Sequence, residues 1–358
     1  MAEAVAAESQ VDDGTTTRNG KGEWTPRVVA SGSPLFSRPW RLSPKAAAKA
    51  LFGWNGYLWP VRTIDAGLAI LTWWLLQPGA GIWAGQAGPL ASLTELRPGW
   101  ILLMYARNVA LLLLIAGGWH LRLYYRRAQG SRFKYTSRWP ATNSKAFLFG
   151  NQVWDNMFWS LTSGAMVWTL YEALMMWAYA RGWLPWIGFA SNPVWFVALF
   201  LLLPIWNDIH FYFVHRLTHW KPFYRAAHYL HHRNINVGPW SGMAMHPIEH
   251  LLYLSRWLIF LVLPAHPIHM LYVMQRTGLG PATGHAGFDQ VVVHTPSDTR
   301  MSIDSFYHYL HHRYFECNYG NNLLPLDRWL GTLHDGTEAG VELLKKRRKL
   351  PREADGVV

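Results

Sequence analysis

The sequence predicts a mostly α-helical, integral membrane protein in which a helical bundle supports a water-facing part of similar size. Hydrophobic residues make up 51% of the 358 residues, and charged residues only 15%. A soluble domain usually carries about 25% charged residues, so the composition argues against a soluble enzyme and against a disordered chain. The mean hydropathy is close to zero, which shows that the chain does not consist of membrane helices alone.

Five apolar segments are candidates for a bundle of about four spans: residues 58–76, 100–121, 157–177, 193–214 and 251–274. A helix needs about 20 apolar residues to cross a bilayer, which makes the first segment marginal. The last segment contains Pro264 and Pro267, and two prolines three residues apart break a helix. We therefore expect residues 251–280 to form a re-entrant or hairpin segment that leaves the membrane on the side where it entered.

The charge distribution predicts the orientation of the bundle. Residues 120–154 carry seven Lys or Arg residues and no Asp or Glu, and short loops rich in Lys and Arg face the cytoplasm. We expect this segment to be a solvated cytosolic loop. The helix at 157–177 then leaves the cytoplasm and the helix at 193–214 returns to it. With the hairpin at 251–280, the residues near 215 and 308 lie on the same cytoplasmic side.

Histidine is concentrated in the second half of the chain, where 16 of the 17 histidines lie between His210 and His334. Residues three and four apart lie on one face of a helix, so each motif should direct its imidazoles towards one point. Eight imidazoles are too many for one ion but suit two ions with about four ligands each and some open positions. The predicted ligands come from one H-x-x-x-H motif and two H-x-x-H-H motifs: His215, His219, His228, His231, His232, His308, His311 and His312.

Four further residues are candidates for the same site. His285 and His246 are expected as additional ligands, and Glu249, close to His246, is a candidate orienting carboxylate. Asp208 lies seven residues before His215, which is two turns along the same helical face. We expect Asp208 to orient a ligand histidine, with a helix-pairing role as the alternative. Two other histidines are weaker candidates: His250 and His294.

The order of these motifs resembles the fatty acid hydroxylase/sterol desaturase superfamily of membrane di-iron proteins. Residues 208–219 look like the family's D-x-x-F-Y-x-x-H-R-x-x-H opening, and residues 245–249 resemble its H-P-x-E/D element. Residues 284–289 are similar to the family's lone histidine segment, and residues 318–332 to its closing N-Y-G…D-R-x-x-G-T. The resemblance covers roughly residues 205–335. It implies four or so membrane helices under a cytosolic helical cap that holds two iron ions.

The resemblance further implies an enzyme that hydroxylates or desaturates a lipid (a sterol, a fatty acyl chain or a related isoprenoid or sphingoid lipid) with dioxygen as co-substrate. Removal of hydrogen from an unactivated C–H bond is beyond any side chain, so a redox cofactor is required. The sequence has no G-x-G-x-x-G fingerprint, and we expect a separate electron donor, such as a cytochrome b5 or a ferredoxin. The basic residues of 122–145 and 345–349 are candidate docking surfaces for this donor or contacts for lipid headgroups.

We expect four regions along the chain. Residues 1–50 form a disordered or loosely ordered arm, 51–150 the first membrane helices and the basic loop, 151–335 the catalytic domain, and 336–358 a basic tail. The expected location is the endoplasmic reticulum or the bacterial inner membrane, with several spans and with the metal site on the cytoplasmic side.

Other functions compatible with clustered histidines are a membrane metal transporter, a non-catalytic metal-binding protein and a haem protein. Transporters place their ligands near the bilayer midplane, whereas these motifs follow the ends of apolar segments. A haem needs only one or two axial histidines. The net charge of +12 is compatible with nucleic-acid binding. However, the basic residues lie beside apolar segments, and we expect no nucleic-acid partner. Cys317 is the single cysteine, so a cysteine-based zinc site or iron–sulfur cluster is excluded.

Overall fold

The computed structural model describes residues 16–18, 23–26, 32–53, 56–59, 61–77, 90–294 and 298–349, and it is mostly helical. Two short antiparallel strand pairs complete the fold. The helices are α1 Pro34–Ser37, α2 Pro44–Phe52, α3 Val61–Leu71, α4 Pro98–His120, α5 Gln152–Trp159, α6 Ala165–Ala180, α7 Pro193–Thr218, α8 Lys221–Phe223, α9 Tyr229–His232, α10 Pro247–Leu254, α11 Pro267–Gly284, α12 Phe306–Tyr314, α13 Leu326–Trp329 and α14 Glu338–Lys349. The strands are β1 Thr16–Arg18, β2 Trp24–Pro26, β3 Gln290–His294 and β4 Thr299–Ser302.

Within the described residues, two helical segments are long and apolar enough to cross a membrane, Pro98–Tyr125 and Pro193–Thr218. Residues 152–180 form another long helical segment, in which a π-helical turn joins α5 to α6. Helix α7 begins where the side chain of Asn192 accepts a hydrogen bond from the amide of Trp195 at 3.0 Å, which satisfies an otherwise unpaired donor of the first turn. The number of membrane spans stays a prediction.

The chain reverses at residues 262–266, as the two prolines predict. On the way in, Trp206 of α7 donates from Nε1 to the carbonyl of Arg256 at 2.9 Å. On the way back, His269 of α11 donates from Nε2 to the carbonyl of Phe196, near the start of α7, at 2.8 Å. Both arms of the hairpin therefore follow α7, and the hairpin begins and ends beside the C-terminal end of that helix.

Aromatic side chains fill the core between α4, α6 and α11. Trp168 and Trp257 are fully buried. Gly278 on α11 permits the close approach of α6, because a Cβ atom there would lie 2.5 Å from the Trp168 ring. A buried ion pair between Arg107 and Glu172, with an N···O distance of 2.5 Å, joins α4 to α6. This packing holds α11, whose last residue is followed by His285, against α6.

The basic segment after α4 is not simply a solvated loop, and this expectation was wrong for residues 133–136, which are buried. Lys134 forms a backbone bridge with Phe288, and its side chain is only 1% exposed. The ammonium donates to the carbonyls of Thr136 at 3.0 Å and of Arg138 at 2.7 Å. Burial lowers the pKa of Lys134 to about 7. The composition alone suggests a solvated loop, because it contains no information on the backbone carbonyls that accept the hydrogen bonds of a buried lysine.

Part of the expected N-terminal arm is folded. Helix α1 and most of α2 lie before residue 50, and two amides of the preceding segment bind a loop far along the chain. Gly32 donates to the side-chain oxygen of Asn322 at 2.5 Å, and Ser33 donates to the carbonyl of Leu323 at 2.9 Å. These contacts join residues 32–33 of the expected arm to the later part of the chain, and backbone pairing of this kind leaves no pattern in the composition. The remaining calls for this arm and for the end of the tail concern residues outside the described ones: 1–15, 19–22, 27–31 and 350–358.

Candidate metal centre

Nine histidines come together in two adjacent groups beside the C-terminal end of α7. Within each group, the ligand nitrogens all lie within 4.8 Å of one another. The five-histidine group consists of His215, His219, His228, His232 and His311. The four-histidine group consists of His231, His285, His308 and His312. The groups thus contain all eight motif histidines and His285.

Each H-x-x-H-H motif contributes to both groups. His228 and His232 belong to the five-histidine group, whereas His231 belongs to the four-histidine group. In the second motif the distribution is reversed, because only His311 belongs to the five-histidine group. The expectation that each motif directs all of its imidazoles towards one point was wrong. Adjacent residues of a helix point about 100° apart, so the last two histidines of a motif face different centres.

Backbone carbonyls fix the orientation of four of these imidazoles. A carbonyl oxygen only accepts hydrogen bonds, so the Nδ1 atom that contacts it carries the proton and the Nε2 atom is a bare lone pair. The four pairs are His215 with Tyr319 at 2.8 Å, His311 with Cys317 at 2.6 Å, His285 with Pro281 at 2.9 Å and His231 with Ala244 at 3.4 Å. The donor set is therefore preoriented, with its Nε2 atoms directed into the two groups.

The Nε2 atoms face one another at distances typical of ligands that share an ion. His219 Nε2 lies 3.0 Å from that of His228 and 3.1 Å from that of His232. His285 Nε2 lies 3.0 Å from that of His308. Two imidazole ligands, each about 2.1 Å from one cation, are about 3.0–3.4 Å apart at octahedral or tetrahedral angles. Because bare lone pairs repel at such distances, the residues present fit one cation in each group.

Glu249 orients one member of the five-histidine group. His228 donates from Nδ1 to Glu249 Oε1 at 2.7 Å, and the carboxyl group is buried. Burial raises the pKa of Glu249 to about 8 and holds the pKa of His228 well below its ordinary value. A cation at Nε2 would strengthen the Nδ1 donor and favour the ionised carboxylate. Glu249 thus has the geometry of the orienting carboxylate considered for it from the sequence.

Asp208 orients a loop rather than an imidazole. Its Oδ1 accepts from the amide of Asn321 at 3.1 Å, and its Oδ2 accepts from the amide of Leu324 at 2.7 Å. This loop directly follows Tyr319, whose carbonyl binds His215. Asp208 therefore acts on the five-histidine group at one remove, through the backbone, instead of by the direct contact expected from the sequence.

Asp327 belongs to the D-R-x-x-G-T motif, for which the sequence analysis assigned no role. Its Oδ1 accepts from the amide of Tyr319 at 2.8 Å and from the hydroxyl of Thr332 at 2.6 Å. Its Oδ2 accepts from the amide of Gly320 at 2.8 Å and from the hydroxyl of Tyr307 at 2.7 Å. Asp327 thereby holds the turn at 317–320, which supplies two of the carbonyls that orient the five-histidine group.

His246 lies outside both groups. Its Nδ1 accepts from the amide of Ile248 at 3.2 Å, so the side chain caps the start of α10. His250 is also separate from them and contacts the carbonyl of Met243 through Nε2 at 3.2 Å. The geometry does not support His246 as a ligand, because its place in the H-P-x-E element serves the helix that carries Glu249.

The fold and the site define a helical protein with two adjacent, all-histidine clusters. Residues 200–332 match the model of the fatty acid hydroxylase family. A Delta(7)-sterol 5(6)-desaturase of Gibberella zeae is 28% identical over 139 residues, which are 38% of this chain and 42% of the relative. A Delta(7)-sterol 5(6)-desaturase of Aspergillus fumigatus is 31% identical over 182 residues, 46% of this chain and 56% of the relative.

A third relative, the Delta(7)-sterol 5(6)-desaturase of Saccharomyces cerevisiae, is 29% identical over 127 residues, 35% of this chain and 33% of the relative. The chain thus spans between a third and somewhat more than half of the lengths of these relatives. No solved structure matches it. These matches and the order of the motifs support a relationship of residues 200–332 to the fatty acid hydroxylase/sterol desaturase superfamily.

Proposed function

We propose that the chain is an oxygen-dependent di-iron oxidoreductase that hydroxylates or desaturates a membrane lipid. The observation that carries the proposal is the pair of all-imidazole groups, whose Nε2 atoms face two centres within the segment similar to fatty acid hydroxylases. Sterols are the first substrate class to test, because the three relatives above are named sterol desaturases. Iron, when bound, supplies the activation of dioxygen that removal of hydrogen from an unactivated C–H bond requires.

The protein's own contribution is to fix the imidazoles and to exclude water. The five-histidine group and the four-histidine group are the candidate ligand sets, and the smaller set leaves more coordination positions free. On the side of the hairpin, the ring of Phe211 lies 4.9 Å from the His215 ring and 5.9 Å from the Tyr253 ring. These aromatic side chains separate the centre from the interior of the bundle and offer an apolar surface to a lipid.

The remaining parts of the proposal concern location and electron supply. The chain crosses the membrane several times, in the endoplasmic reticulum or the bacterial inner membrane, and residues 151–335 form the catalytic domain, whose metal site faces the cytoplasm. A separate cytochrome b5-like or ferredoxin-like carrier supplies the electrons. Lys134 is buried and cannot contribute to a docking surface. The exposed basic residues of the two candidate surfaces include Arg126, Arg138, Lys145, Lys345 and Lys346.

A metal transporter is the alternative class, and the geometry favours it less. Four imidazoles are anchored through Nδ1 to backbone carbonyls, which suits permanent ligands better than a path of successive sites. The two groups are also compact rather than strung along a helix.

Metal analysis of the protein purified in detergent tests the proposal. We expect about two irons per chain, one for each group, and turnover of a 3-hydroxysterol when a reductase and an electron carrier are added. The double variant His231→Ala/His311→Ala is the control, since it removes one ligand from each group. One metal or none in the native chain, unchanged in the double variant, would refute the two-metal site. Two metals without oxidation of any lipid class under reducing, aerobic conditions would refute the enzymatic function.

A further inference from the structure

An arginine is buried in the hairpin close to the two histidine groups. Arg256 is only 4% exposed and lies in the 3-10 helical segment Ser255–Leu261 that continues α10. Two contacts fix this segment against α7. The carbonyl of Arg256 accepts from Trp206 Nε1 at 2.9 Å, and the hydroxyl of Ser255 lies 3.0 Å from Nε2 of His210. The position of the guanidinium is therefore set by the fold.

The guanidinium is incompletely satisfied. Its Nε donates to the carbonyl of Tyr253 at 3.2 Å, and its Cζ lies 4.5 Å from the centre of the Tyr253 ring and 5.7 Å from that of Phe211. The Nη2 atom is buried without a hydrogen-bond partner. Among the residues that the structure describes, no carboxylate forms an ion pair with it. Asp208 acts on it electrostatically, but both carboxylate oxygens of Asp208 accept from loop amides.

Such a group points to a missing acceptor. A guanidinium stays charged and offers only donors, and a buried donor without an acceptor destabilises the fold. The two aromatic rings offset part of this cost by cation–π attraction, but they do not replace a hydrogen bond to Nη2. Charged residues inside a membrane-embedded bundle commonly mark a binding site or pathway.

The position relative to the metal centre gives the group a function. The centre of the Phe211 ring lies 5.7 Å from the guanidinium carbon of Arg256, 4.9 Å from the His215 ring and 6.4 Å from the His308 ring. Phe211 is therefore close both to Arg256 and to one member of each histidine group. Through Phe211, the guanidinium carbon is at most about 11 Å from the centre of the His215 ring.

We propose that Arg256 binds the oxygen-bearing end of the lipid substrate, a hydroxyl or a carboxylate, and thereby sets the direction in which the lipid lies. The oxygen accepts from Nη2 of Arg256, and the carbon to be oxidised lies near Phe211 and His308. The short separation means that oxidation occurs near the oxygen-bearing end rather than far along a chain. This inference rests on the proposed function, since it assigns the substrate of the same centre.

Binding of four tritiated probes to the metal-loaded, full-length protein in detergent tests the inference without turnover. The probes form two pairs, 5α-cholestan-3β-ol with 5α-cholestane and palmitate with hexadecane, and the members of each pair differ in the oxygen-bearing group. We expect the native chain to bind the oxygenated member of one pair about 10- to 100-fold more tightly, the range for a hydrogen bond to a charged group. Preference within the sterol pair identifies a hydroxyl, and preference within the acyl pair identifies a carboxylate.

Variants separate recognition by Arg256 from a structural role. Arg256→Met, which removes every donor, should abolish the preference, and Arg256→Lys, which keeps the charge and a donor, should retain part of it. Arg276→Met is the matched control, because Arg276 is half exposed and 3.6 Å from Asp65, and it should bind as the native chain does. Equal binding within both pairs by the native chain, or a preference that persists in Arg256→Met, would overturn the inference. The binding assay requires no oxidation. An inactive protein would therefore refute the proposed function, whereas the binding preference could still be measured and would test the inference separately.

Discussion

Asp327→Asn would test whether the turn at 317–320 holds the five-histidine group. Four donors share the two carboxylate oxygens of Asp327 in the structure, and the side chain is only 2% exposed. Asparagine has nearly the same shape, but one acceptor oxygen is replaced by an amide nitrogen that can only donate. Whichever way the amide turns, one backbone N–H loses its acceptor and faces another donor, and the hydroxyl that shared this oxygen has to turn and accept instead.

The expected loss of stability is large. A hydrogen bond to a charged group contributes about 1.5–3 kcal/mol, and a buried polar group without its partner costs about 1–3 kcal/mol. Because one buried backbone donor is left unpaired and the remaining bonds lose the charge of the carboxylate, we expect the free energy of unfolding of the metal-free protein to fall by about 3–5 kcal/mol, the range for breaking a buried charged interaction. Thermal unfolding in detergent would measure this difference.

The effect on metal binding should be selective. The turn supplies the carbonyls that orient His215 and His311, and both belong to the five-histidine group. The carbonyls of Pro281 and Ala244 orient the four-histidine group from other segments. Loss of an orienting partner lowers metal affinity by about 10- to 100-fold. We therefore expect the variant to release one of two metals at chelator concentrations that leave the native chain fully loaded.

Chelator competition followed by metal analysis would measure this, with Glu172→Gln as control. That variant breaks another buried ion pair, between Glu172 and Arg107 in the bundle, so it should lower stability without changing the metal content. The reasoning would be refuted if Asp327→Asn kept both metals with the native competition curve. The reasoning would also be refuted if Asp327→Asn lost both metals together and Glu172→Gln lost the same amount of metal for the same fraction of unfolded protein.

Three further changes probe other parts of the centre. Glu249→Gln should weaken one metal by about 10- to 100-fold, because His228 Nδ1 loses its carboxylate acceptor; an unchanged competition curve would contradict this. Gly242→Ala should release the metal of the four-histidine group, since a Cβ atom would lie 2.4 Å from the Pro281 carbonyl that orients a member of this group; two retained metals would contradict it. Lys134 has a folded-state pKa of about 7, below that of the unfolded chain, so the unfolded state binds more protons between pH 7 and about 10. The free energy of unfolding should therefore rise with pH across this window. Melting temperatures measured over this range would show the rise in the native chain, and it should disappear in Lys134→Met.

The histidines could be predicted from the sequence because the chemistry demands a residue type at a helical spacing. The eight motif histidines and His285 all lie in the two groups. The reversal at Pro264 could be predicted for a similar reason, since proline restricts the backbone wherever it occurs. Such features depend only on the residue type and its spacing along the chain, and both can be read from the sequence.

The parts that could not be predicted depend on the backbone or on distant contacts. Carbonyls such as those of Cys317 and Tyr319 are available from any residue, so their orienting role leaves no composition signal. His246 is a histidine like the ligands but caps a helix, because its Nδ1 accepts from the amide of Ile248 and lies outside the two histidine groups. Lys134 counts as a surface charge in the sequence, although the fold surrounds it with carbonyls.

The crossing of the two H-x-x-H-H motifs has a consequence for how the centre holds together. His231 and His232 are neighbours in sequence but enter different groups, and the same is true of His311 and His312. The rings of His232 and His312, one from each group, lie only 4.8 Å apart. On each of two helices, adjacent residues therefore enter different groups. The distance between the groups thus depends on the geometry of these helices and not on how two separate domains pack. A rotation of either helix would displace ligands of both groups at once. Only an element that touches a single group, such as the turn held by Asp327, can alter one metal while the other stays in place.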